Sequence, residues 1–214
     1  MCGRFAFDGE QWPDVVTAKP PDIEPNYNIS PQDNVHCLTM ENEGHNITSM
    51  KWGFRPSWSK KSSMEPINAR FETVSEKPMF RDSFQRRRCL IPANGWYEWK
   101  TTPNGKVPFY HQSEGNDTIF FAGIYDDWAD ANQTKRSFCI LTTTSHDSIS
   151  HIHERMPLLV PEGSVNNWLE NGTFENISLP INVHPVDRKV NSTTAKGVGP
   201  VSYTHLTLPT ILLV

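Results

Sequence analysis

The sequence predicts a strand-rich α+β fold with mostly antiparallel pairing and a few short helices. Its 214 residues suit one globular domain with enough length to bury a core. Several strand candidates and one hairpin follow one another along the chain. The alternating strand–helix–strand pattern and the glycine-rich phosphate loop of parallel α/β proteins are both missing from the sequence.

The first half of the chain predicts a connector, a hairpin and two helices. AKPPDIEPNYNISP (residues 18–31) is rich in proline and is expected to be extended rather than regular. NVHCLTM and NITSMKWGF flank the turn-like ENEGH, which predicts a β-hairpin. EPINARFETVSEKPMF (65–80) predicts a helix that ends at Pro78, and RDSFQRR (81–87) predicts a shorter one.

The second half predicts strands and one short helix. In PEGSVNNWLE, Ser164 is a candidate N-cap. The strand candidates are RCLIPANGWYEWK, VPFYHQ, TIFFAGIYDDW and SFCILTTTS.

The end of the chain does not fit the predicted domain, which we place at residues 1–200. The last dozen residues, YTHLTLPTILLV, are apolar and shorter than the ~20 residues that span a bilayer. A docking tail, a core strand and a segment foreign to the domain all fit residues 201–214, and we favour the last.

Charge is unevenly distributed along the sequence. The formal net charge of −4 argues against a protein that coats nucleic acid non-specifically. Residues 51–106 nevertheless carry twelve Lys or Arg against five Asp or Glu. This basic centre fits a local phosphate site, and it fits an unevenly charged solvent-facing surface equally well.

Cysteine usage favours a reducing compartment. No CxxC motif is present, so neither a zinc ribbon nor a thioredoxin-type motif is indicated. The opening MCGRFAFDGEQW has no apolar export segment, and we expect a cytoplasmic protein without a membrane span. The four cysteines are Cys2, Cys37, Cys89 and Cys139.

Cys2 is the first candidate reactive residue. Removal of Met1 would leave an α-amine and a thiol on adjacent carbons, which together trap an aldehyde as an imine and then as a thiazolidine ring. With ordinary pKa values of about 7.7 and about 8.5, both groups are expected to be partly deprotonated near neutral pH. An ordinary buried thiol is the alternative, and for Cys2 alone it is the commoner one.

Glu98 is a candidate acid or base. If ANGWYEWK is a strand, alternation puts Trp96 and Glu98 on one face and Tyr97 and Trp99 on the other. A carboxylate among aromatic rings is partly desolvated, which raises its pKa towards the range useful for proton transfer. The alternative is a solvent-facing glutamate on an edge strand.

SHIHERMP places His151, His153 and Arg155 at alternate positions. Histidine titrates in the physiological range, although a satisfied structural role is the default for either one. No compact third ligand stands nearby, and we predict neither a metal site nor a cofactor.

Cationic and aromatic residues suggest contacts with nucleic acid. MKWGFRPSW interleaves Trp52 and Trp58 with Arg55, as single-strand binders do, while core packing is the commoner role of any one tryptophan. Arginine binds phosphate bidentately, and an asparagine orients an amine. INARF and FRDSFQRRRC supply Asn68, Arg70, Arg81, Arg86, Arg87 and Arg88.

Taken together and in order, these motifs resemble the SOS response-associated peptidase (SRAP) family, whose members act as abasic-site shields. The resemblance covers residues 2 to about 190 and rests on MCGRF, NYNISP, WGFRPSW, NAR, RRRCLIPANGWYEW, FFAGIYDDW, ILTT and HERMP. It implies a single compact domain around a mostly antiparallel, β-barrel-like core.

The resemblance also implies an activity. It implies self-processing that exposes Cys2, followed by a covalent thiazolidine crosslink to abasic sites in single-stranded DNA, with a possible lyase side reaction. It makes Cys2 the nucleophile, Asn68 the residue that positions its amine and Glu98 the acid or base. His153 would assist ring closure or reversal.

For DNA, the resemblance places Arg4, Arg70 and Arg155 near phosphates, and Pro31 and Trp52 in loops that wedge against the strand. The basic stretch that includes Arg81 and Arg86 would be the phosphate track. The expected partner is single-stranded DNA with abasic sites. We expect a monomer without an obligate protein partner, associated with the nucleoid if bacterial.

Two other functions share these residues. A thiol peptidase would use Cys2 with His153 on itself or on other proteins, without dependence on DNA. A non-catalytic single-strand binder would bind intact and abasic DNA equally, and Cys2 would be incidental.

Overall fold

Strands dominate the computed structural model, which describes residues 2–12, 14–18, 20–42, 44–59, 64–130, 133–175, 179–197 and 199. The strands are β1 Phe5–Phe7, β2 Asn26–Ile29, β3 Asn34–Glu41, β4 Gly44–Trp52, β5 Asn68–Arg70, β6 Arg88–Ala93, β7 Gly95–Thr102, β8 Gly105–Ser113, β9 Ile119–Asp130, β10 Gln133–Thr144, β11 Arg155–Pro157, β12 Leu159–Val160 and β13 Ile181–Pro185.

Short helices connect or cover these strands. The α-helices are α1 Arg81–Arg86, α2 Asp147–Ser150 and α3 Val165–Asn171, and single 3₁₀ turns span Phe71–Thr73, Glu162–Ser164 and Arg188–Asn191. Within the described ranges, no helix has the length and apolar character needed to cross a membrane.

The larger sheet closes into a five-stranded barrel. Its strands follow the order β10-β4-β3-β6-β9, and the β9–β10 pairing closes the ring. β5 pairs with β10 outside the ring, and β11 and β12 extend β10 and β9. Among the pairings of both sheets, β10–β4 and β10–β5 are parallel and the others are antiparallel. The predicted α+β fold with a mostly antiparallel barrel is therefore confirmed.

A second sheet, ordered β13-β8-β7-β1-β2, places the chain's first residues against the barrel. One core cluster joins Cys2, together with Phe5 and Trp96 of this sheet, to side chains from all five barrel strands. A second cluster lies on the other face of the barrel strands and includes Trp168 and Leu169 of α3. Cys2 is thus part of the main core.

Several predicted elements are confirmed in place. The hairpin forms as β3 and β4, and RDSFQRR forms α1. RCLIPANGWYEWK is two strands rather than one, because β6 joins the barrel and β7 joins the second sheet. Gly95 starts β7 where a side chain would not fit: a Cβ there would lie 2.2 Å from the backbone oxygen of His111.

Other predictions were wrong. The predicted helix over 65–80 is instead β5 followed by a 3₁₀ turn, because residues 68–70 pair in parallel with β10. The connector over 18–31 contains β2, which pairs with β1. Ser164 does occupy the N-cap position of α3, but no side-chain cap bond forms, and its Oγ accepts a bond from Glu175 N. Residues 201–214 lie outside the described residues.

Candidate functional site

Cys2 lies three residues before the start of β1, which pairs with β7. Phe5 pairs with Trp96, and the backbone N–H of Tyr97 donates to Arg4 O at 3.0 Å. The antiparallel run therefore brings residue 2 beside the part of β7 that carries Glu98. Cys2 is fully buried, and its thiol makes a long contact of 3.7 Å with Arg4 O.

The pKa of the Cys2 thiol differs from the value expected from the sequence. Burial raises the pKa of Cys2 well above its usual range, and the negative charge of Glu98 raises it further. The thiol is consequently protonated at neutral pH rather than partly ionised. Reaction through sulfur needs a base close by.

Asn68 reaches Cys2 from the barrel. Its Nδ2 donates to the carbonyl oxygen of Cys2 at 2.8 Å. Its Oδ1 is buried and accepts no hydrogen bond among the described residues, so it can accept one from an amine at the same place. Asn68 starts β5, whose parallel pairing with β10 fixes the direction of the side chain.

Glu98 has the environment of an acid or base. It lies on β7 with only 3% of its surface exposed, and burial raises its pKa to about 7. The alternation predicted for this strand is confirmed, since Trp96 packs in the cluster of Cys2 whereas Tyr97 and Trp99 pack in a separate one. At neutral pH the carboxyl is thus divided between its protonated and ionised forms.

His153 and Glu98 line the same pocket. This pocket has a volume of about 440 Å³, and Trp99, Lys106 and Asn191 complete its lining. Burial lowers the pKa of His153, and the positive charge of the amino terminus lowers it further, so the imidazole is neutral at pH 7. Its Nδ1 lies 3.0 Å from the backbone N of Arg155 and 3.1 Å from the backbone O.

These four residues form one arrangement with complementary chemistry. Cys2 offers a thiol, Asn68 holds the backbone of Cys2, Glu98 exchanges protons near neutral pH, and His153 adds a neutral imidazole beside Glu98. A thiol, a carboxyl with a pKa near 7 and an orienting amide close together are groups from which covalent catalysis can be built.

Arg4, two residues after Cys2, has a guanidinium nitrogen that could serve an anion. It is half-buried, and its buried Nε has no acceptor among the described residues. Burial lowers its pKa, against the opposing effect of the Asp33 charge. A phosphate at this place would supply the missing acceptor.

The other arginines considered as phosphate contacts fall into two groups, those that are exposed and those that already bind other protein groups. Arg70, Arg81 and Arg86 are exposed. Arg88 instead donates to backbone oxygens that include Trp168 O and Glu170 O, and it thereby joins β6 to α3. Arg155 is bound bidentately by Glu72 at 2.7 and 2.8 Å, so its guanidinium already has an anionic partner. Within the basic stretch, Arg88 is therefore engaged in structural contacts, whereas the phosphate track predicted for Arg81 and Arg86 stays a prediction.

The wedge predicted for Trp52 is not compatible with its position. Trp52 is fully buried, packs against Phe5 and Phe138, and donates its Nε1 to Ile67 O at 2.9 Å. Trp58, by contrast, is 64% exposed. Pro31 lies half-buried in the turn before β3.

Strand alternation in the sequence could have separated the two tryptophans. Met50 and Trp52 share the buried face of β4, whereas Trp58 follows Pro56 and Ser57 in a turn.

The described residues hold no group of three or more His, Cys, Asp or Glu side chains arranged for a metal ion. His151 is exposed and does not join His153 in the lining of the pocket. The alternate histidines of SHIHERMP therefore have different surroundings.

Comparison with known proteins identifies relatives over most of the chain. The sequence model described as SOS response associated peptidase (SRAP) matches residues 1–193. The chain is 35% identical to the abasic site processing protein YoqW of Bacillus subtilis (strain 168), over 87% of this chain and 88% of that protein. It is 29% identical to the abasic site processing protein YedK of Escherichia coli (strain K12), over 92% and 97%. A crystal structure of a protein from Bordetella bronchiseptica shares the fold, with a TM-score of 0.72 at 19% identity over 87% of this chain and all of that one.

Proposed function

This chain belongs to the SOS response associated peptidase family, and on that premise we propose that it captures abasic sites in single-stranded DNA through Cys2. The observation that carries the proposal is the convergence of Cys2, Asn68, Glu98 and His153 on one site. The names of YoqW and YedK, abasic site processing proteins, support the substrate class. Removal of Met1 gives Cys2 the free amine that the reaction needs.

The first step forms an imine. The neutral amine of Cys2 attacks the aldehyde carbon C1′ of the ring-opened abasic sugar, a C–N bond forms, and one water leaves. Asn68 supports this step, because its Nδ2 holds the carbonyl of Cys2 and its Oδ1 is available to the amine. A nucleophile fixed in this way reacts without first being ordered.

The second step closes the ring. The thiol of Cys2 adds across the C=N bond, its sulfur binds C1′, and its proton ends on the nitrogen. Since burial holds the proton on sulfur, a base has to carry it. Glu98, with a pKa of about 7, takes that proton in its ionised form and returns it to the nitrogen.

His153 acts on the same adduct from the pocket side. As a neutral imidazole it donates or accepts a hydrogen bond at the former aldehyde oxygen during loss of water or reversal of the ring. Ring closure also removes the imine, which would otherwise acidify the neighbouring C2′ proton and permit β-elimination of the 3′-phosphate.

DNA binding follows from exposed cations and an exposed aromatic ring. Arg4 binds a phosphate beside Cys2, and Arg70, Arg81 and Arg86 provide exposed charges for the backbone. We assign the aromatic contact with DNA to Trp58 rather than to the buried Trp52, because the indole of Trp58 is exposed and can stack on a base.

The two alternative functions fit the site less well. A peptidase acting on other proteins needs a readily ionised thiol, and burial raises the pKa of Cys2 well above its usual range. A passive single-strand binder has no use for a carboxyl with a pKa near 7 beside a buried thiol.

The proposal is tested with protein that lacks Met1 and a single-stranded oligonucleotide carrying one abasic site. An adduct that survives denaturing electrophoresis is expected with this oligonucleotide and not with its intact counterpart. An added peptide should not be cleaved. Equal binding of both oligonucleotides without a denaturant-resistant band would instead favour the passive binder.

A further inference from the structure

Trp58 lies at the tip of a short surface turn. The backbone N–H of Ser59 donates to Pro56 O at 3.0 Å, so residues 56–59 form a β-turn with Trp58 at its third position. The indole is 64% exposed. A surface turn is ordinarily among the more mobile parts of a protein, and water can satisfy its N–H groups.

Two buried side chains of the barrel nevertheless hold this turn. Asp126 Oδ2 accepts a hydrogen bond of 2.9 Å from the backbone N–H of Ser57. Ser137 Oγ accepts one of 2.8 Å from the backbone N–H of Arg55. Asp126 on β9 is 3% exposed, and the fully buried Ser137 lies directly opposite it on β10. Neighbouring positions of one sheet thus fix the chain as it enters the turn.

The side chain of Arg55 adds a third contact to the same face of β9. Trp128 lies two residues after Asp126, so strand alternation places it on that face. The guanidinium carbon of Arg55 lies 4.1 Å from the centroid of the Trp128 ring, within the range of a cation–π contact. The segment before Trp58 is therefore attached to the barrel through its backbone and through a side chain.

The surroundings of Asp126 indicate that it orients the turn. A carboxyl in a protein interior loses its hydration, and hydrogen bonds or an opposite charge have to offset that loss. Asp126 Oδ1 accepts a bond of 2.8 Å from the backbone N–H of Asp127 and lies 3.2 Å from Nε of Arg87. Oδ2 is directed at the turn. Because Ser57 is exposed, water could satisfy its N–H in a looser turn, and the bond to Asp126 is needed only if the orientation matters.

We propose that Asp126 and Ser137 are positioning residues that fix the Trp58 turn on the barrel, so that the indole is pre-oriented for stacking on a base of single-stranded DNA. The inference rests on the proposed function, in which Trp58 makes the aromatic contact. A side chain that is already oriented loses less conformational freedom on binding, so the same stacking contact gives a higher affinity. Neither positioning residue has to touch the DNA for this effect.

The experiment compares Asp126→Asn with the matched control Asp127→Asn. Both variants remove one negative charge, so they change the general attraction to DNA alike. Asp127 is the next residue on β9 and lies on the opposite face of the strand, where it accepts a bond of 2.8 Å from Arg136 Nε. Each substitution is made in the wild type and in Trp58→Ala. Anisotropy of a labelled, intact single-stranded oligonucleotide gives the affinity, and denaturant unfolding shows that each variant is folded.

We expect Asp126→Asn to bind the oligonucleotide about fivefold more weakly than Asp127→Asn, the lower end of the contribution of one stacked base. In the Trp58→Ala background the two substitutions should give equal affinities, because the indole that Asp126 positions is gone. If Asp126→Asn does not fold, Ser137→Ala takes its place and is expected to show the same dependence on Trp58. Its control is Ser164→Ala, which removes a buried hydroxyl that bonds to Glu175 N beside α3.

Two results would overturn the inference while leaving the proposed function intact. One is equal affinity of Asp126→Asn and Asp127→Asn in the wild-type background when Trp58→Ala itself binds weakly. The other is a loss from Asp126→Asn that is just as large in the Trp58→Ala background, which would make it an effect on the fold as a whole. Undiminished affinity of Trp58→Ala would remove the aromatic contact from the proposed function, and this inference with it, whereas adduct formation with abasic DNA tests the chemistry separately.

Discussion

Asn68 donates a 2.8 Å hydrogen bond to the carbonyl of Cys2, and this bond ties the start of the chain to the barrel. Cys2 precedes β1 and packs in the main core, whereas β5 is held by parallel pairing with β10. The barrel thus determines where the first reactive residue lies.

Asn68→Ala should slow adduct formation by about tenfold, the effect of losing roughly 1.4 kcal/mol of positioning hydrogen bonds. Affinity for intact single-stranded DNA should not change. Single-turnover rates at saturating abasic DNA measure the effect. Asn46→Ala on β4 is the matched control, because the side-chain amide of Asn46 donates to Thr48 Oγ1 within the same strand. Equal rates in the two variants would contradict the assigned role of Asn68.

Cys2→Ser should keep the amine and lose the ring-closing thiol. We expect an imine that is trapped by borohydride but gives no lasting band without it, together with increased strand cleavage by β-elimination. Denaturing gels run with and without borohydride make the comparison. Cys139→Ala, which removes a buried thiol elsewhere in the core, should behave like the wild type. As much irreversible adduct in Cys2→Ser as in the wild type would contradict a role for sulfur.

The rate of ring closure should rise with pH through about 7, because Glu98 acts in its ionised form and burial places its pKa there. Glu98→Gln should be slower and should lose this rise between pH 6 and 8. Reactions are stopped at set times at a series of pH values, and the amount of thiazolidine gives the rate of ring closure at each pH. If the ring-closure rate depends on pH in the same way in the wild type and in the variant, the titrating group is not Glu98.

The same carboxyl makes stability depend on pH with a definite sign. The pKa of Glu98 rises from 4.5 to about 7 on folding because burial disfavours its charge, so the folded protein binds the proton more tightly. The stabilisation is present below pH 4.5 and is lost as pH rises through about 7, and it amounts to about 3 kcal/mol at most. In denaturant unfolding, the free energy of unfolding of Glu98→Gln should increase relative to that of the wild type as the pH rises from 4.5 to 8. A constant difference would mean that the carboxyl does not change its pKa on folding.

Trp58 and Trp52 should respond oppositely to truncation. Trp58→Ala should weaken binding of single-stranded DNA by about 1–3 kcal/mol, the contribution of one stacked base, and leave stability unchanged. Trp52→Ala should lower stability by about 3–5 kcal/mol, because it empties a buried site. Fluorescence titration and denaturant unfolding measure the two effects. Loss of DNA affinity in a folded Trp52→Ala with none in Trp58→Ala would reverse the assignment.

Local patterns in the sequence predicted much of the fold. The hairpin of β3 and β4 and the two faces of β7 follow from alternation, which a strand imposes on every side chain. The prediction for the segment 65–80 failed because prolines near its start and end suit a helix, while pairing of residues 68–70 with β10, about 70 residues away in sequence, decides the outcome. Nothing within the segment signals that partner.

The candidate site was predicted by residue type but not by environment. The raised pKa of Glu98 was expected from its aromatic neighbours, whereas the raised pKa of the Cys2 thiol depends on complete burial by several strands. The buried position of Trp52 and the pairing of Arg155 with Glu72 likewise arise from tertiary contacts. Residue types identify the chemistry, and the fold decides which side chains are available for it.

The central claim is that nitrogen and sulfur of Cys2 both bind the sugar carbon, and a count of free thiols tests it most directly. Met1-free protein is reacted with abasic single-stranded DNA, denatured, alkylated and weighed intact. The account predicts a mass equal to protein plus oligonucleotide minus one water, increased by the mass of three alkylations, because three of the four cysteines remain free to react. An adduct in which all four cysteines are alkylated, or no adduct, would contradict it.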